Sequence, residues 1–189
     1  MRADRSFYAA VDAFVRVANG LRTDWMLIGA VPLAAWGQAR ASTDADFVVS
    51  LGLLGAWPLE ERLSKAGFRK TAGPAQIPQS QLVVANYTFR KGRLSFKVDV
   101  FFRTTKWDAV ALSRRLRVRI GARRYWVASA EDLLLYKITA YRKRDVDDAA
   151  SIVDRSGDSM DWRYVWRWAR KMGAAHLLRQ LLLDMGRGR

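Results

Sequence analysis

The spacing of apolar residues predicts helices at both ends of the chain and strands between them. Phe7, Phe14 and Ala18 share one helical face, which predicts an amphipathic helix over 6–21. Short apolar runs bounded by turn residues predict strands at 25–28, 47–51, 82–90, 94–102, 115–120 and 123–127. Further helices are predicted at 31–36, 58–65, 105–113, 130–143, 145–153, 162–172 and 174–185. The Gly- and Pro-containing segment 71–80 is predicted as a loop.

This order of elements indicates a mixed α+β fold, with strands concentrated in the first two-thirds and helices after them. We place a core at residues 1–127 and a helical C-terminal region at 128–189, packed on that core. No apolar run approaches the roughly 18 residues of a membrane span, and the N-terminus carries charges where a signal peptide needs an apolar stretch. We therefore expect a cytoplasmic protein with no membrane partner.

The charge balance points to an anionic partner. The chain has 33 Lys and Arg against 18 Asp and Glu, a net charge of +15, and it has no cysteine. A field of this sign attracts nucleic acid, nucleotides or an anionic membrane surface. The alternative is that the charge serves solubility alone.

Two aspartates just before the run Phe47-Val48-Val49 carry the strongest chemical signal. Asp44 and Asp46 are two residues apart, so in a strand their side chains face the same side. Their repulsion needs a compensating cation, and Mg²⁺ prefers such hard oxygen ligands. Paired aspartates also occur in turns and helix caps, so the pair alone is a weak signal.

Asp99 lies inside the strongly apolar segment FKVDVFF, where an unpaired carboxylate is costly. It could complete a site for two Mg²⁺ ions, one activating an attacking hydroxyl and one holding a triphosphate. The structural alternative is an ion pair with a basic residue such as Arg90 across the hairpin.

The segment GAVPLAAWGQARASTDADFVV resembles the signature of the polymerase-β-like nucleotidyltransferase superfamily. The pattern of Gly37, Arg40, Thr43, Asp44 and Asp46 is similar to that of AbiEii-type toxin nucleotidyltransferases and their uncharacterised relatives. The segment 128–153, with Lys137, Arg144, Asp145 and Asp148, resembles the helical part that follows the sheet in those proteins. Together with the strand of Asp99, the resemblance covers residues 22–155, and it implies a mixed sheet flanked by helices.

The resemblance also implies a role for each matching residue. Asp44 and Asp46 would bind Mg²⁺, and Asp99 would complete the metal site and help to deprotonate the acceptor hydroxyl. Nucleotide-binding roles fall on Gly29, Ala30, Arg40, Thr43, Lys137 and Asp145. Among these, Lys137 would contact a phosphate or the leaving pyrophosphate, and Asp145 would orient the nucleotide or that lysine. The alternative for Lys137 and Asp145 is a surface helix with a capping acid.

Two residues depart from the family pattern near the glycine. Ala30 stands where the family usually has Gly or Ser, so its Cβ could crowd a phosphate and it supplies no hydroxyl. Pro32 removes one backbone donor from the predicted helix start. Either change could slow catalysis or alter the choice of nucleotide, and a retained fold without activity is an alternative.

The basic residues are arranged on two predicted surfaces. Arg115, Arg117 and Arg119 alternate with apolar residues, which predicts a row of guanidinium groups on one strand face. Arg163 and Arg167 lie on one face of the helix over 162–172. Both surfaces would suit phosphate oxygens of RNA, whereas a charged edge strand that deters aggregation is the structural alternative. Four aromatic residues of that helix could stack on bases: Trp162, Tyr164, Trp166 and Trp168. The helical spacing of Trp162 and Trp166 favours packing in the core instead.

These observations predict a Mg²⁺-dependent nucleotidyltransferase that moves a nucleoside monophosphate from NTP to an acceptor hydroxyl. The favoured acceptor is RNA, with the tRNA 3′ end leading by resemblance to the toxin branch of toxin–antitoxin systems. Alternatives with the same fold are an antitoxin-like enzyme that adenylylates a partner protein and an antibiotic nucleotidyltransferase. An inert RNA- or protein-binding module is the alternative from another class.

Overall fold

A computed structural model describes residues 2–51, 55–76 and 83–187. The chain forms two compact units. The first unit is built from the segment up to Leu27 together with Ser42–Ser113, and the second from Ile28–Ala41 together with the chain from Arg114 onward. The predicted boundary between residues 127 and 128 stays a prediction about the division of function.

The first unit contains most of the strands. Its elements are α1 (Arg2–Gly20), β1 (Trp25–Ile28, whose last residue falls in the second unit), β2 (Asp44–Val49), α3 (Trp57–Lys65), β3 (Phe68–Gln76), β4 (Val83–Lys91), β5 (Leu94–Phe102) and α4 (Lys106–Ser113). Its strands follow the order β3-β4-β5-β2-β1. β2 and β5 are parallel, whereas β3, β4 and β5 pair antiparallel, so the sheet is mixed.

Helix α1 covers one face of this sheet. Its apolar stripe puts Phe14 against Phe47, with ring centroids 3.9 Å apart, and Phe7 against Phe96, at 6.0 Å. Along β5, Phe96, Val98 and Val100 are buried beneath the helix, and the alternate positions are exposed or half-buried. Because strand side chains alternate, the polar residues of the sheet are collected on the other face.

The second unit is mainly helical. Its elements are α2 (Leu33–Trp36), β6 (Leu116–Ile120), β7 (Arg123–Val127), α5 (Ala130–Ala140), α6 (Lys143–Ser156), a 3₁₀ turn (Gly157–Ser159), α7 (Trp162–Lys171) and α8 (Ala175–Asp184). β6 and β7 form an antiparallel hairpin. Ser129 caps α5 by accepting a hydrogen bond from the backbone N–H of Asp132. The core is apolar and lies between α5 and its helical neighbours, with Leu134, Ile152 and Val165 fully buried.

The α+β class is confirmed and most predicted element ends lie within three residues of the observed ones, but strand β3 was not predicted. The predicted loop at 71–80 is wrong in its first part, because β3 continues to Gln76; residues 77–80 lie outside the described ranges. β3 is an edge strand whose register shifts between Lys70 and Ala75, and edge strands of this kind accommodate Gly and Pro. Helix α5 ends earlier than predicted, because Tyr141 adopts the left-handed conformation at φ 47°.

The helices in the described ranges include none that is both long enough and apolar enough to span a membrane.

Candidate active site

The three predicted catalytic carboxylates lie on neighbouring parallel strands of the first unit. Asp44 and Asp46 belong to β2 itself, which begins three residues earlier than predicted, and Asp99 lies in the middle of β5. Asp46 is paired in register with Asp99, and Asp44 with Lys97. All three aspartates are half-buried on the sheet face that α1 does not cover. The fold therefore brings together the acidic residues that the sequence placed 53 positions apart, from 46 to 99.

Neutral donors hold two of these carboxylates. The Asn86 side-chain amide donates to Asp99 Oδ1 at 2.8 Å, and the Thr43 hydroxyl donates to Asp44 Oδ1 at 3.0 Å. In the β4–β5 register, Asn86 is opposite Asp99, whereas Arg90 is opposite Ser95. The alternative ion pair between Asp99 and Arg90 is therefore wrong. Asn86 is a site residue that the sequence reasoning missed, and the hairpin register was the signal that could have found it.

The donor set fits Mg²⁺ in its chemistry. Carboxylate oxygens are the ligands that Mg²⁺ prefers, and three of them share one face of two adjacent strands. Within 2–51, 55–76 and 83–187, no group of three or more His, Asp or Glu side chains has the arrangement of a completed metal centre. The fold thus places the backbone of the three candidate ligands side by side. Mg²⁺ commonly takes its remaining ligands from water and substrate phosphates.

The predicted nucleotide-binding residues near the start of the chain lie in a turn of the second unit. Gly29 has φ 73°, a conformation that favours glycine, and the buried Ala30 accepts a backbone hydrogen bond from Leu33. Helix α2 has only four residues, so the predicted helix over 31–36 is shorter than expected. Gly37, another residue of the signature, lies so close to α6 that an added Cβ would be 2.6 Å from Ser151 Oγ. Its identity therefore has a packing reason.

An ion network joins the other predicted nucleotide-binding residues of the second unit. Lys137 Nζ lies 3.0 Å from Asp145 Oδ1 and 2.7 Å from Asp148 Oδ2. Arg40 forms a bidentate pair with Asp148, at 2.8 and 2.9 Å, and Arg142 Nε lies 2.6 Å from Asp145 Oδ2. Two carboxylates thus hold three cations, and Asp145 contacts the lysine that the resemblance assigns to it.

The core of this network is buried. Lys137 is 5% exposed, Asp145 2% and Asp148 4%, so the alternative of a surface helix with a capping acid is wrong for these residues. Burial raises the pKa of Asp145, but Arg142 and Lys137 outweigh that effect and hold the pKa below its ordinary value. Burial likewise opposes ionisation of Asp148, and Arg40 and Lys137 lower its pKa overall. Both aspartates are therefore carboxylates at neutral pH.

The predicted row of guanidinium groups on β6 is found in part, because only two of its three arginines belong to the strand. Arg117 and Arg119 belong to the strand and are exposed, whereas Arg115 precedes it and is half-buried. The guanidinium carbons of Arg115 and Arg117 lie 5.0 and 5.7 Å from the ring centroid of Trp126 on β7. Arg119 is paired in register with Arg124, which brings two like charges together. This pairing has a cost unless an anion compensates it.

Helix α7 has one basic and one apolar side, as its spacing predicts. Arg163, Arg167, Arg170 and Lys171 are exposed, whereas Val165 and Ala169 are buried. Among the aromatic residues of α7, Tyr164 is buried and its hydroxyl donates to the buried Asp132 at 2.5 Å. The three tryptophans are half-buried, so they pack only partly in the core: Trp162, Trp166 and Trp168. Arg114 lies 4.0 Å above the Tyr164 ring and 3.3 Å from Asp132. Burial raises the pKa of Asp132, and these partners only partly offset it.

Comparison with known proteins finds likeness in fold. No protein-family profile matches the chain, and no curated protein sequence matches it. An antigenic nucleotidyltransferase-like protein from Paracoccidioides brasiliensis is 18% identical with a TM-score of 0.54, over 78% of this chain and 75% of that one. The antibiotic-resistance factor ANT(2'')-Ia is 12% identical with a TM-score of 0.58, over 97% of each chain. The lincosamide antibiotic adenylyltransferase LnuA is 12% identical with a TM-score of 0.52, over 75% of this chain and 93% of that one.

These likenesses show that the chain has the fold of nucleotidyltransferases, a mixed sheet flanked by helices, as the signature implies. The fold that the resemblance implies is therefore confirmed. The narrower resemblance to AbiEii-type toxins stays a prediction.

Proposed function

We propose that this chain is a Mg²⁺-dependent nucleotidyltransferase that transfers a nucleoside monophosphate from NTP to an acceptor hydroxyl. One observation carries the proposal. Asp46 and Asp99 are paired in register on adjacent parallel strands, with Asp44 on the same face, in a fold shared with known adenylyltransferases. A purely structural role gives no reason to gather three carboxylates on one half-buried face.

In the proposed reaction, the acceptor oxygen bonds to the α-phosphorus while the bond from that phosphorus to the β-phosphate oxygen breaks. Pyrophosphate leaves, and the hydroxyl proton passes to the carboxylate of Asp99, which Asn86 orients. Bound at Asp44, Asp46 and Asp99, Mg²⁺ would lower the pKa of the acceptor hydroxyl and neutralise phosphate charge. The phosphate-binding role of Lys137 comes from the resemblance alone; within its own unit, Asp145 and Asp148 hold this lysine in one position.

RNA is the acceptor class that the charge favours. The net charge is +15, and exposed arginines occupy both β6 and α7. The close pair of Arg119 and Arg124 would be relieved by a phosphate. The tRNA 3′ end and a role as a toxin belong to the resemblance with AbiEii-type proteins.

An antibiotic acceptor is the second candidate, because the chain shares its fold with ANT(2'')-Ia and LnuA, which act on antibiotics. Cationic aminoglycosides are a poor electrostatic match for a chain of charge +15. Adenylylation of a partner toxin or antitoxin protein would leave the same chemistry in place with a different acceptor.

The test is incubation with each α-³²P-labelled NTP, Mg²⁺ and total RNA, with products separated on a denaturing gel. We expect label on an RNA band, absent with EDTA and absent in Asp46→Ala. Label on a lysate protein alone would move the acceptor to a partner protein. If no NTP gives a labelled product with any acceptor, the chain is an inert binding module. Ala30→Ser is then the first substitution to test for restored activity.

A second experiment tests the basic surface of the hairpin. Changing Arg117 and Arg119 to Gln removes two exposed charges from β6. If these residues contact phosphates, the slope of log K against log salt for single-stranded RNA should fall by about 0.7 per contact. An unchanged slope would assign these arginines to protection of the strand edge.

A further inference from the structure

The sheet face that carries the carboxylates continues onto two further strands. Across four adjacent strands, Asp44 is paired with Lys97, Lys97 with Thr88, and Thr88 with Arg69. A neighbouring line of residues runs through Asp46, Asp99 and Asn86 in the same direction. The residues of β3, β4 and β5 on this face therefore form one surface with the proposed catalytic aspartates.

The sign of the charge changes along this surface. The charged residues that β2 contributes to it are both acids, β5 contributes Lys97 beside Asp99, and the strands beyond contribute Arg90 and Arg69. Lys97, Arg90 and Arg69 are all exposed, whereas the alternate residues Tyr87, Phe96 and Val98 face the core. At about 4.8 Å between neighbouring strands, Arg69 lies three strands or about 14 Å from β2, a length that about four stacked nucleotides cover.

We propose that this surface, Arg69, Thr88, Arg90 and Lys97, binds the phosphates of a single-stranded RNA whose terminal hydroxyl is the acceptor. The inference rests on the proposed function, because it takes Asp99 as the group that receives the acceptor proton. Asp99 is on β5, so a chain entering from β3 and β4 brings its end to that carboxylate without crossing β2. The Thr88 hydroxyl and the exposed Ser95 add neutral donors along the same path.

Neither protection of the sheet edge nor binding of a compact triphosphate accounts for the placement of these cations. Charges that protect a sheet edge belong on the edge strand, and only Arg69 is on β3; Arg90 and Lys97 are on interior strands. A compact triphosphate would gather its cations around one point, whereas these three are spread over three strands. An extended polyanion matches that spread.

The test compares two double variants with the same change in charge. Arg69→Gln with Arg90→Gln removes two cations from the proposed surface and leaves Lys97 beside Asp44 untouched. The control, Arg16→Gln with Arg62→Gln, removes two exposed cations from α1 and α3, and α1 packs against the opposite face of the sheet. Thermal melts confirm that both variants fold.

The first readout is binding of a fluorescein-labelled 12-nucleotide single-stranded RNA across a salt series, and the second is ATP binding by equilibrium dialysis. We expect Arg69→Gln with Arg90→Gln to weaken RNA binding about tenfold and to lower the salt slope by about 1.4, with ATP affinity unchanged. The control should change the slope by less than half as much.

Equal slopes for the two variants would overturn the proposal, and so would a loss of ATP affinity in the first variant. If Arg69→Gln with Arg90→Gln lost the transfer of label from α-³²P-labelled NTP to lysate proteins but kept its RNA affinity, the surface would bind a protein partner. That result would also overturn the proposal. RNA binding is measured without turnover, so it is independent of the transfer assay. If the salt slope falls in Arg69→Gln with Arg90→Gln but the wild type transfers no label, the result supports RNA binding by this surface and contradicts the proposed enzyme activity.

Discussion

Asp99 in the first unit is half-buried and Asp148 in the second is buried, and the charge of their partners differs. Asp148 is held by two cations, Arg40 and Lys137, each within 3.0 Å. Asp99 accepts a hydrogen bond from a neutral amide and is paired in register with another aspartate. The first arrangement neutralises its own charge, whereas the second adds negative charge where an external cation can bind.

The difference assigns the two clusters different roles. A network that neutralises itself holds elements in place, and in this chain it joins the segment before β2 to α5 and α6 through Arg40, Lys137 and Asp148. Like charges gathered on one face destabilise the chain until a ligand compensates them. Removing an aspartate should therefore have opposite consequences in the two clusters.

The largest expected effect is on transfer in Asp46→Asn. Losing a metal ligand removes several kcal/mol of transition-state stabilisation, so we expect a decrease of about 10³-fold in kcat/KM. In metal-free buffer the melting temperature should stay the same or rise, because repulsion with Asp44 and Asp99 is relieved. Transfer at the wild-type rate would remove the proposed role of this cluster.

In the other cluster the effect should be on stability. Asp148→Asn leaves Arg40 and Lys137 short of one negative charge in a buried setting, so we expect the free energy of unfolding to fall by about 3 kcal/mol. Urea denaturation measures the loss, with Asp158→Asn at a fully exposed position as the control. If the two variants unfold at the same urea concentration, the network contributes nothing to the fold.

Asn86→Ala tests the neutral partner of Asp99. Losing a hydrogen bond to a charged group costs about 1.5–3 kcal/mol, so we expect transfer to fall by at least about tenfold at saturating NTP. ATP affinity should be unaffected, since the Asn86 amide holds the carboxylate on the acceptor side. A selective rise in the Kd for ATP would show that Asp99 serves the nucleotide instead.

A smaller effect should appear in the dependence of stability on pH. The pKa values of Asp145 and Asp148 are lowered in the folded chain, so the unfolded chain binds more protons in acid. Their contribution to the free energy of unfolding is full above the unfolded pKa of about 4 and is lost as pH falls through the folded pKa. Wild type should therefore lose stability below about pH 4 more steeply than Asp148→Asn. Parallel curves in urea titrations at each pH would count against the network.

Most of the fold could be predicted from the sequence because local periodicity dominates it. The helical face of Phe7 and Phe14 and the alternation along β5 are direct consequences of burial on one side. The segment 71–76 was misassigned because Gly and Pro read as loop signals, and only the neighbouring β4 makes it a strand. Strand pairing is a long-range property that local composition does not encode.

The candidate site was predicted only in part, because strand pairing and helix packing decide which residues meet. Asp44, Asp46 and Asp99 stand out because carboxylates are costly among apolar residues, and the resemblance to nucleotidyltransferases connected them. Nothing in the sequence around Asn86 marks it as a partner of Asp99, because that contact depends on the register of β4 with β5. The salt bridge between Arg40 and Asp148 likewise depends on the packing of α6. The predicted strand over 115–120 begins one residue later, so Arg115 precedes the strand that carries Arg117 and Arg119.

The most direct test of the central claim is metal binding by the carboxylate face. Electron paramagnetic resonance can follow Mn²⁺ in place of Mg²⁺, in the presence of a non-reactive NTP analogue, for wild type, Asp46→Asn and Asp158→Asn. We predict that wild type and Asp158→Asn bind Mn²⁺ together with the nucleotide analogue and that Asp46→Asn does not. Equal Mn²⁺ binding by all three proteins would contradict the assignment of Asp44, Asp46 and Asp99 as the metal-binding site.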